Sequence, residues 1–268
     1  MSSRSTQNNP LWRIAALVFS LLQFSAPFIS RQFTNFVDLQ TKYNLPEKLY
    51  LEPAGPAFSI WGFIYLGFAV MGFYQMKNSL KDEPKWVLAR PYMVLVSIGN
   101  IVWLISDAFA NTSICLLAFM VLLYGLIKLH DTLRIAKDSF TLQEKLTVKY
   151  PVSLYFGWVS FAFSLGVILW LMSFFQISGN EVLSPGIWST IVVAIAGSIF
   201  LFLYLRNLVT TSYALVGVWG FYWVYVKTSA YAELLATVAL TAMIFLLISI
   251  VLKKGISFVK RRQNQVAF

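Results

Sequence analysis

Eight long apolar stretches constrain this chain more than any other feature, because each is long enough to cross a lipid bilayer. Only α-helices and closed β-barrels satisfy their backbone hydrogen bonds in lipid, and these stretches lack the alternating pattern of barrel strands. The sequence therefore predicts an all-α, polytopic membrane helix bundle with about eight transmembrane helices. The predicted spans are Trp12–Ile29, Ala57–Met76, Pro91–Phe109, Ser113–Leu129, Pro151–Phe175, Ile187–Leu205, Leu208–Val226 and Tyr231–Leu252.

The composition agrees with a chain that is surrounded mainly by lipid. Hydrophobic residues make up 58% of the sequence and charged residues 12%, where a soluble domain carries about 25% charged residues. This deficit excludes a soluble enzyme. The single cysteine, Cys115, excludes an intramolecular disulfide framework, and the single histidine, His130, argues against a site built on histidines.

The distribution of basic residues predicts how the bundle is oriented. If eight helices place both termini on one side, that side holds 17 of the 21 basic residues, and only Arg31, Lys42, Lys48 and Lys227 lie opposite. Lysine and arginine concentrate in cytoplasmic loops, so this sorting predicts cytoplasmic termini. It also explains the net charge of +10 without a nucleic-acid partner. We expect a multi-pass protein of the plasma membrane whose main partner is the lipid bilayer.

Signatures of catalysis and nucleotide binding are absent from the sequence. It contains no glycine loop ending in Gly-Lys-Ser/Thr, no His-Glu-x-x-His and no Gly-x-Ser-x-Gly. These absences exclude an ATP-driven pump made of this chain alone. They also make an enzyme the weakest functional alternative, since a membrane reductase or lipid-modifying enzyme needs more polar groups within the bundle.

One face of the third predicted helix combines polar and aromatic residues. Asn100, Trp103 and Asp107 are spaced i, i+3 and i+7, which places them on the same side of a helix. Ionisable residues at membrane depth are costly and mark candidate functional sites. Two interpretations remain open: the face lines a cavity, or it forms a polar packing seam in which Asp107 meets headgroup water.

Aromatic pairs at helical spacing recur in three other segments. Interfacial belts explain aromatic residues near helix ends. Tryptophans several turns inside a segment, such as Trp103 and Trp158, instead pack between helices or contact a large apolar ligand. The pairs are Trp61 and Tyr65, Tyr155 and Trp158, and Trp219 and Trp223.

Three aromatic segments, in this order, carry a family resemblance. The first is Pro53–Trp61, a proline-rich loop leading into a helix that continues with Tyr65; the second is the Asn-x-x-Trp of Asn100–Trp103; the third is Tyr155–Ala162. Together they resemble the translocator protein family, also called tryptophan-rich sensory proteins or peripheral-type benzodiazepine receptors. Members of that family have five helices and carry these motifs at helices two, three and five.

The resemblance implies a pocket under the loop between the first two helices that binds flat hydrophobic molecules such as tetrapyrroles or sterols. A bound tetrapyrrole is therefore one candidate ligand, and the sequence indicates no defined cofactor. The family's additional tryptophan before helix two falls near Gly55, which argues against tryptophan-dependent porphyrin photochemistry. The candidate ligand-binding residues are Trp61, Tyr65, Asn100, Trp103, Tyr155, Trp158 and Ala162, to which the polar face adds Asp107.

The resemblance spans about residues 12–175. We therefore predict a five-helix core in residues 1–175, and three additional transmembrane helices with a basic cytoplasmic tail in residues 176–268. These three helices are candidates for covering the pocket, anchoring the core or forming a homodimer interface.

Two main functional hypotheses follow. In the first, the protein binds or senses a planar hydrophobic ligand, tetrapyrrole- or sterol-like, with transfer of that ligand across or along the membrane as an extension. In the alternative, it is a secondary transporter in which Asp107 takes up a proton or cation.

Overall fold

The computed structural model describes residues 10–30, 39–46, 48, 50–177 and 184–266. Helices dominate these residues, and no β-strand occurs among them, so the all-α membrane helix bundle is confirmed. The long helices are α1 (Pro10–Ser30), α2 (Ile60–Tyr74), α3 (Pro84–Ala108), α4 (Thr112–Thr132), α5 (Tyr150–Phe175), α6 (Pro185–Leu205), α7 (Thr211–Thr228) and α8 (Glu233–Val266). Shorter helical turns lie at Leu39–Lys42, Gly55–Ser59, Asn78–Leu80, Leu142–Glu144 and Lys145–Lys149.

All eight predicted apolar segments fall on these eight helices, but they differ in their suitability as spans. Six described segments, which contain α2 to α6 and the part of α8 from Glu233 to Ser257, are long and apolar enough to cross a membrane. In α1, the stretch Pro10–Ser25 is also apolar. Helix α7 is rich in Trp and Tyr. The polar atoms of these side chains lower the mean hydropathy of the helix. The orientation of the termini remains a prediction.

The third helix begins earlier than the sequence predicted. The helix starts at Pro84. Pro91, which was its predicted first residue, lies inside the helix. A proline at the first helical position costs nothing, because its missing N–H would have had no partner there. Arg90 follows this polar start and is buried, donating to the side chain of Gln75 and to two backbone carbonyls. These bonds allow a charged residue to lie within the bundle.

Close packing joins the last three helices to the rest of the bundle. Helix α7 packs against α5 and α8, and α8 packs against α6. A Cβ atom added to Gly157 of α5 would lie 3.0 Å from the Tyr213 carbonyl oxygen of α7. One added to Gly220 of α7 would lie 2.7 Å from the Phe161 ring of α5. Glycine at both positions therefore allows these two helices to approach closely.

Candidate functional site

A cavity of about 760 Å³ lies among α2, α3, α4 and α5, and the loop between α1 and α2 forms part of its wall. Most of its surface is aromatic or aliphatic. Its volume is within the range of about 300–1,000 Å³ that is usual for small-molecule sites. Six of the eight predicted site residues line it, namely Trp61, Tyr65, Trp103, Asp107, Trp158 and Ala162.

Trp61 is the centre of the aromatic wall. Its ring stacks on that of Tyr65, with centroids 5.2 Å apart and planes at 18°, and on that of Trp103, at 5.2 Å and 21°. Trp158 meets it edge-on at 6.2 Å. Trp61 and Tyr65 meet because residues four apart lie on the same helix face. Helices α3 and α5 supply the other two rings.

The remaining two predicted residues, Asn100 and Tyr155, lie behind this wall and do not line the cavity. Asn100 is fully buried, and its side chain is 3.4 Å from the Tyr65 hydroxyl. The Tyr155 hydroxyl donates to the side-chain oxygen of Gln23 at 3.2 Å, which ties α5 to α1. In this structure both residues support the aromatic wall from outside the cavity.

Asp107 sits where the loop between α1 and α2 meets α3. Its Oδ2 atom pairs with Lys42 Nζ at 2.5 Å, and its Oδ1 atom accepts a hydrogen bond from the Tyr43 hydroxyl. Burial, together with the nearby carboxylate, raises the pKa of Tyr43 above its ordinary value, so this hydroxyl stays protonated and can donate. Of the predicted polar face, Trp103 and Asp107 line the cavity, whereas Asn100 does not.

Several cavity residues were missed by the sequence analysis. The loop contributes Lys42, Tyr43 and Glu52, and α4 contributes Cys115 and Phe119. Lys42 and Glu52 stand in a polar loop in which no local pattern marks them. Much of that loop (residues 31–38, 47 and 49) lies outside the described residues, including Arg31.

Helix α7 holds the second half of this loop in place. The Trp219 indole N–H donates to the Ala57 carbonyl at 3.0 Å, and the Ala54 N–H donates to the Trp223 carbonyl at 3.1 Å. Lys227 forms an ion pair with Glu52, which itself lines the cavity. Helix α7 thus helps to shape the cavity wall.

A family model described as TSPO-like protein matches residues 10–252. The chain belongs to this TSPO-like family. The match agrees with the resemblance to the translocator protein family, and it extends beyond residue 175 through most of the last three helices. Family membership and the apolar helices together make this TSPO-like chain a multi-pass integral membrane protein. No curated protein and no solved structure matches the chain.

The single histidine of this TSPO-like chain takes no part in the cavity. His130 is buried at the end of α4, where its ring lies 5.5 Å from that of Phe156. The cavity itself offers aromatic stacking surfaces and a few polar groups at the loop, which is an arrangement suited to holding a ligand.

The contact between α7 and the loop leads to a prediction for Trp219→Phe. This change keeps an aromatic ring and removes the N–H that the Ala57 carbonyl accepts. A net loss of about 1 kcal/mol is typical for such a bond, so we expect the affinity for the planar ligand proposed below to fall about fivefold through a looser loop. Equilibrium titration of the purified chain with protoporphyrin measures this effect.

Trp223→Phe is the matched control, one helical turn further along α7. Its indole N–H has no hydrogen-bond partner among the described residues, and only its backbone holds the loop. We expect its affinity to match that of the unmodified chain. Equal losses in the two variants would contradict a specific role for the Trp219 hydrogen bond.

Proposed function

We propose that this TSPO-like protein binds a planar hydrophobic molecule, tetrapyrrole- or sterol-like, in the cavity of α2 to α5. The observation that carries the proposal is the set of rings around Trp61, stacked on Tyr65 and Trp103 on the surface of a 760 Å³ cavity. Aromatic faces favour flat ligands because stacking gains dispersion energy over the whole ring area. Sensing of the bound molecule, or its transfer along the membrane, would start from this complex.

The polar groups at the loop would orient such a ligand. Lys42, Tyr43 and Asp107 form a charged and hydrogen-bonding cluster on one part of a mostly apolar wall. A ligand with a flat apolar body and one polar edge fits this division. Binding energy would come from the apolar body, and orientation from the polar edge.

The alternative function, a secondary transporter, would use Asp107 as its proton or cation site. Asp107 does line the cavity, which favours this alternative. However, both of its oxygens already have partners in Lys42 and Tyr43. A further cation at this carboxylate would have to displace Lys42 or Tyr43, so we place ligand binding first.

Filling the cavity tests the proposed function. Ala162 lines the cavity on α5, and we expect Ala162→Phe to weaken the binding of protoporphyrin and of the fluorescent sterol dehydroergosterol by about tenfold or more, since overpacking costs about 1–3 kcal/mol. The readout is saturable quenching of tryptophan fluorescence in the purified full chain, or emission of the sterol.

Ala194→Phe serves as the control, because it adds the same side chain at an exposed position of α6 away from the cavity. It should bind both probes normally. Absence of saturable binding in the unmodified chain, or equal binding by the two variants, would rule out the cavity as the site.

A further inference from the structure

A second cavity, of about 570 Å³, lies at the other end of α5. It is formed by the start of α5, the turn between α6 and α7, and the outer part of α8. Four lysines line it, together with several hydroxyl groups, and none of the described lining residues is acidic. We call it the basic pocket and define it by Lys145, Lys149, Lys253 and Lys254 with Thr210, Thr211, Ser212 and Ser257.

The charge of the basic pocket is not neutralised within the described part of the chain. None of its four lysines forms a salt bridge there. Lys253 is engaged with the end of α6, donating to the Leu205 carbonyl at 3.1 Å and to the Asn207 side chain at 2.8 Å. Lys145, Lys149 and Lys254 have no carboxylate partner, so gathering them in one cavity favours an anionic occupant.

The surroundings of the basic pocket point to a lipid. Exposed apolar side chains flank it, including Leu208, Leu215 and Ile256, which are 48%, 46% and 57% exposed. In a membrane protein such residues face acyl chains. A molecule that combines a negative headgroup with acyl chains satisfies both the lysines and this apolar border.

The predicted orientation agrees with such an occupant. The basic pocket lies at the end of the bundle that holds 17 of the 21 basic residues, predicted to be cytoplasmic. Anionic lipids give the cytoplasmic leaflet its negative surface potential, and basic pockets between transmembrane helices bind their headgroups. We propose that the basic pocket binds the headgroup of an anionic phospholipid from this leaflet. This site is separate from the aromatic cavity and does not depend on its function.

The test compares two double variants of the full chain in a neutral detergent. Lys149→Gln/Lys254→Gln removes two charges from the basic pocket, and Lys81→Gln/Lys137→Gln removes two exposed charges outside it at the same predicted side. The probe is dioctanoyl phosphatidylglycerol, titrated to equilibrium by native mass spectrometry. Parallel titrations use dioctanoyl phosphatidylcholine and glycerol 3-phosphate.

We expect saturable binding of phosphatidylglycerol that is about 25-fold weaker in the pocket variant, because each lysine near an anionic lipid contributes roughly fivefold. The control variant should change affinity less than about twofold. Melting temperatures close to that of the unmodified chain show that both variants fold.

Three results would overturn the proposal. Equal weakening in both double variants would show diffuse attraction without a defined pocket. Phosphatidylcholine binding as tightly as phosphatidylglycerol would remove the requirement for net negative charge. Glycerol 3-phosphate binding as tightly as the lipid would assign the basic pocket to a soluble phosphate compound.

Discussion

Replacing Trp61 with alanine is expected to weaken binding of a planar ligand by about 30-fold or more. Trp61 stacks on two neighbouring rings and meets two others edge-on, so its loss removes the centre of the aromatic wall. Truncation of a central aromatic contact residue costs about 2 kcal/mol or more, which corresponds to this factor. The change also leaves Tyr65 and Trp103 without the ring that holds them in place.

The measurement follows the emission of bound protoporphyrin, because removing a tryptophan alters the intrinsic fluorescence of the protein. Trp12→Ala is the control, since Trp12 is 41% exposed on α1 and does not line the cavity. Trp61→Phe, which keeps a smaller ring, should fall between the two alanine variants. Identical affinities for Trp61→Ala and Trp12→Ala would contradict a stacking role for Trp61.

Contacts within one helix explain why much of this site could be predicted from the sequence. Trp61 and Tyr65 share a face of α2, and Trp103 and Asp107 share a face of α3, because spacing alone fixes these relationships. The resemblance to the translocator protein family then predicted that residues of different helices line the same pocket. All four residues line the cavity.

Contacts between distant segments account for what the sequence could not show. Lys42 meets Asp107 across 65 residues, and Trp219 meets Ala57 across 162 residues. No periodicity encodes such pairs, since they depend on how whole helices pack. The sequence marked Trp219 and Trp223 only as an aromatic pair, and their role in holding the loop became visible through the packing of α7.

Burial separates the support residues from the lining residues, and it too depends on tertiary packing. Asn100 shares a helix face with Trp103, yet it lies one turn deeper, where the Tyr65 hydroxyl covers it. Tyr155 likewise turns toward Gln23 of α1. Helical spacing places a residue on a side of the helix, but it does not say whether a neighbour stands between that residue and the cavity.

Reversing the charge of Lys42 is the second change with a large expected effect. Lys42→Glu would place a carboxylate beside Asp107, where the structure has an ion pair whose side chains are 15% and 30% exposed. Losing a partly buried charge partner costs about 2–5 kcal/mol. The loop wall of the cavity should therefore open, and ligand affinity should fall about 30-fold, mainly through faster dissociation. Stopped-flow measurement of protoporphyrin release checks this rate.

Exchanging the two charges separates a structural ion pair from a proton site. The double variant Lys42→Glu/Asp107→Lys restores opposite charges across the same contact, although a lysine at position 107 cannot accept the hydrogen bond from Tyr43. Most of the lost affinity should therefore return, and release should slow again relative to Lys42→Glu alone. A transporter that relies on the Asp107 carboxylate would behave differently, because the exchanged chain would bind ligand yet lose uptake driven by a pH gradient in liposomes. Failure of the exchange to restore binding would show that Asp107 does more than pair with Lys42, as its hydrogen bond from Tyr43 allows. Restored binding with lost uptake would favour the transporter.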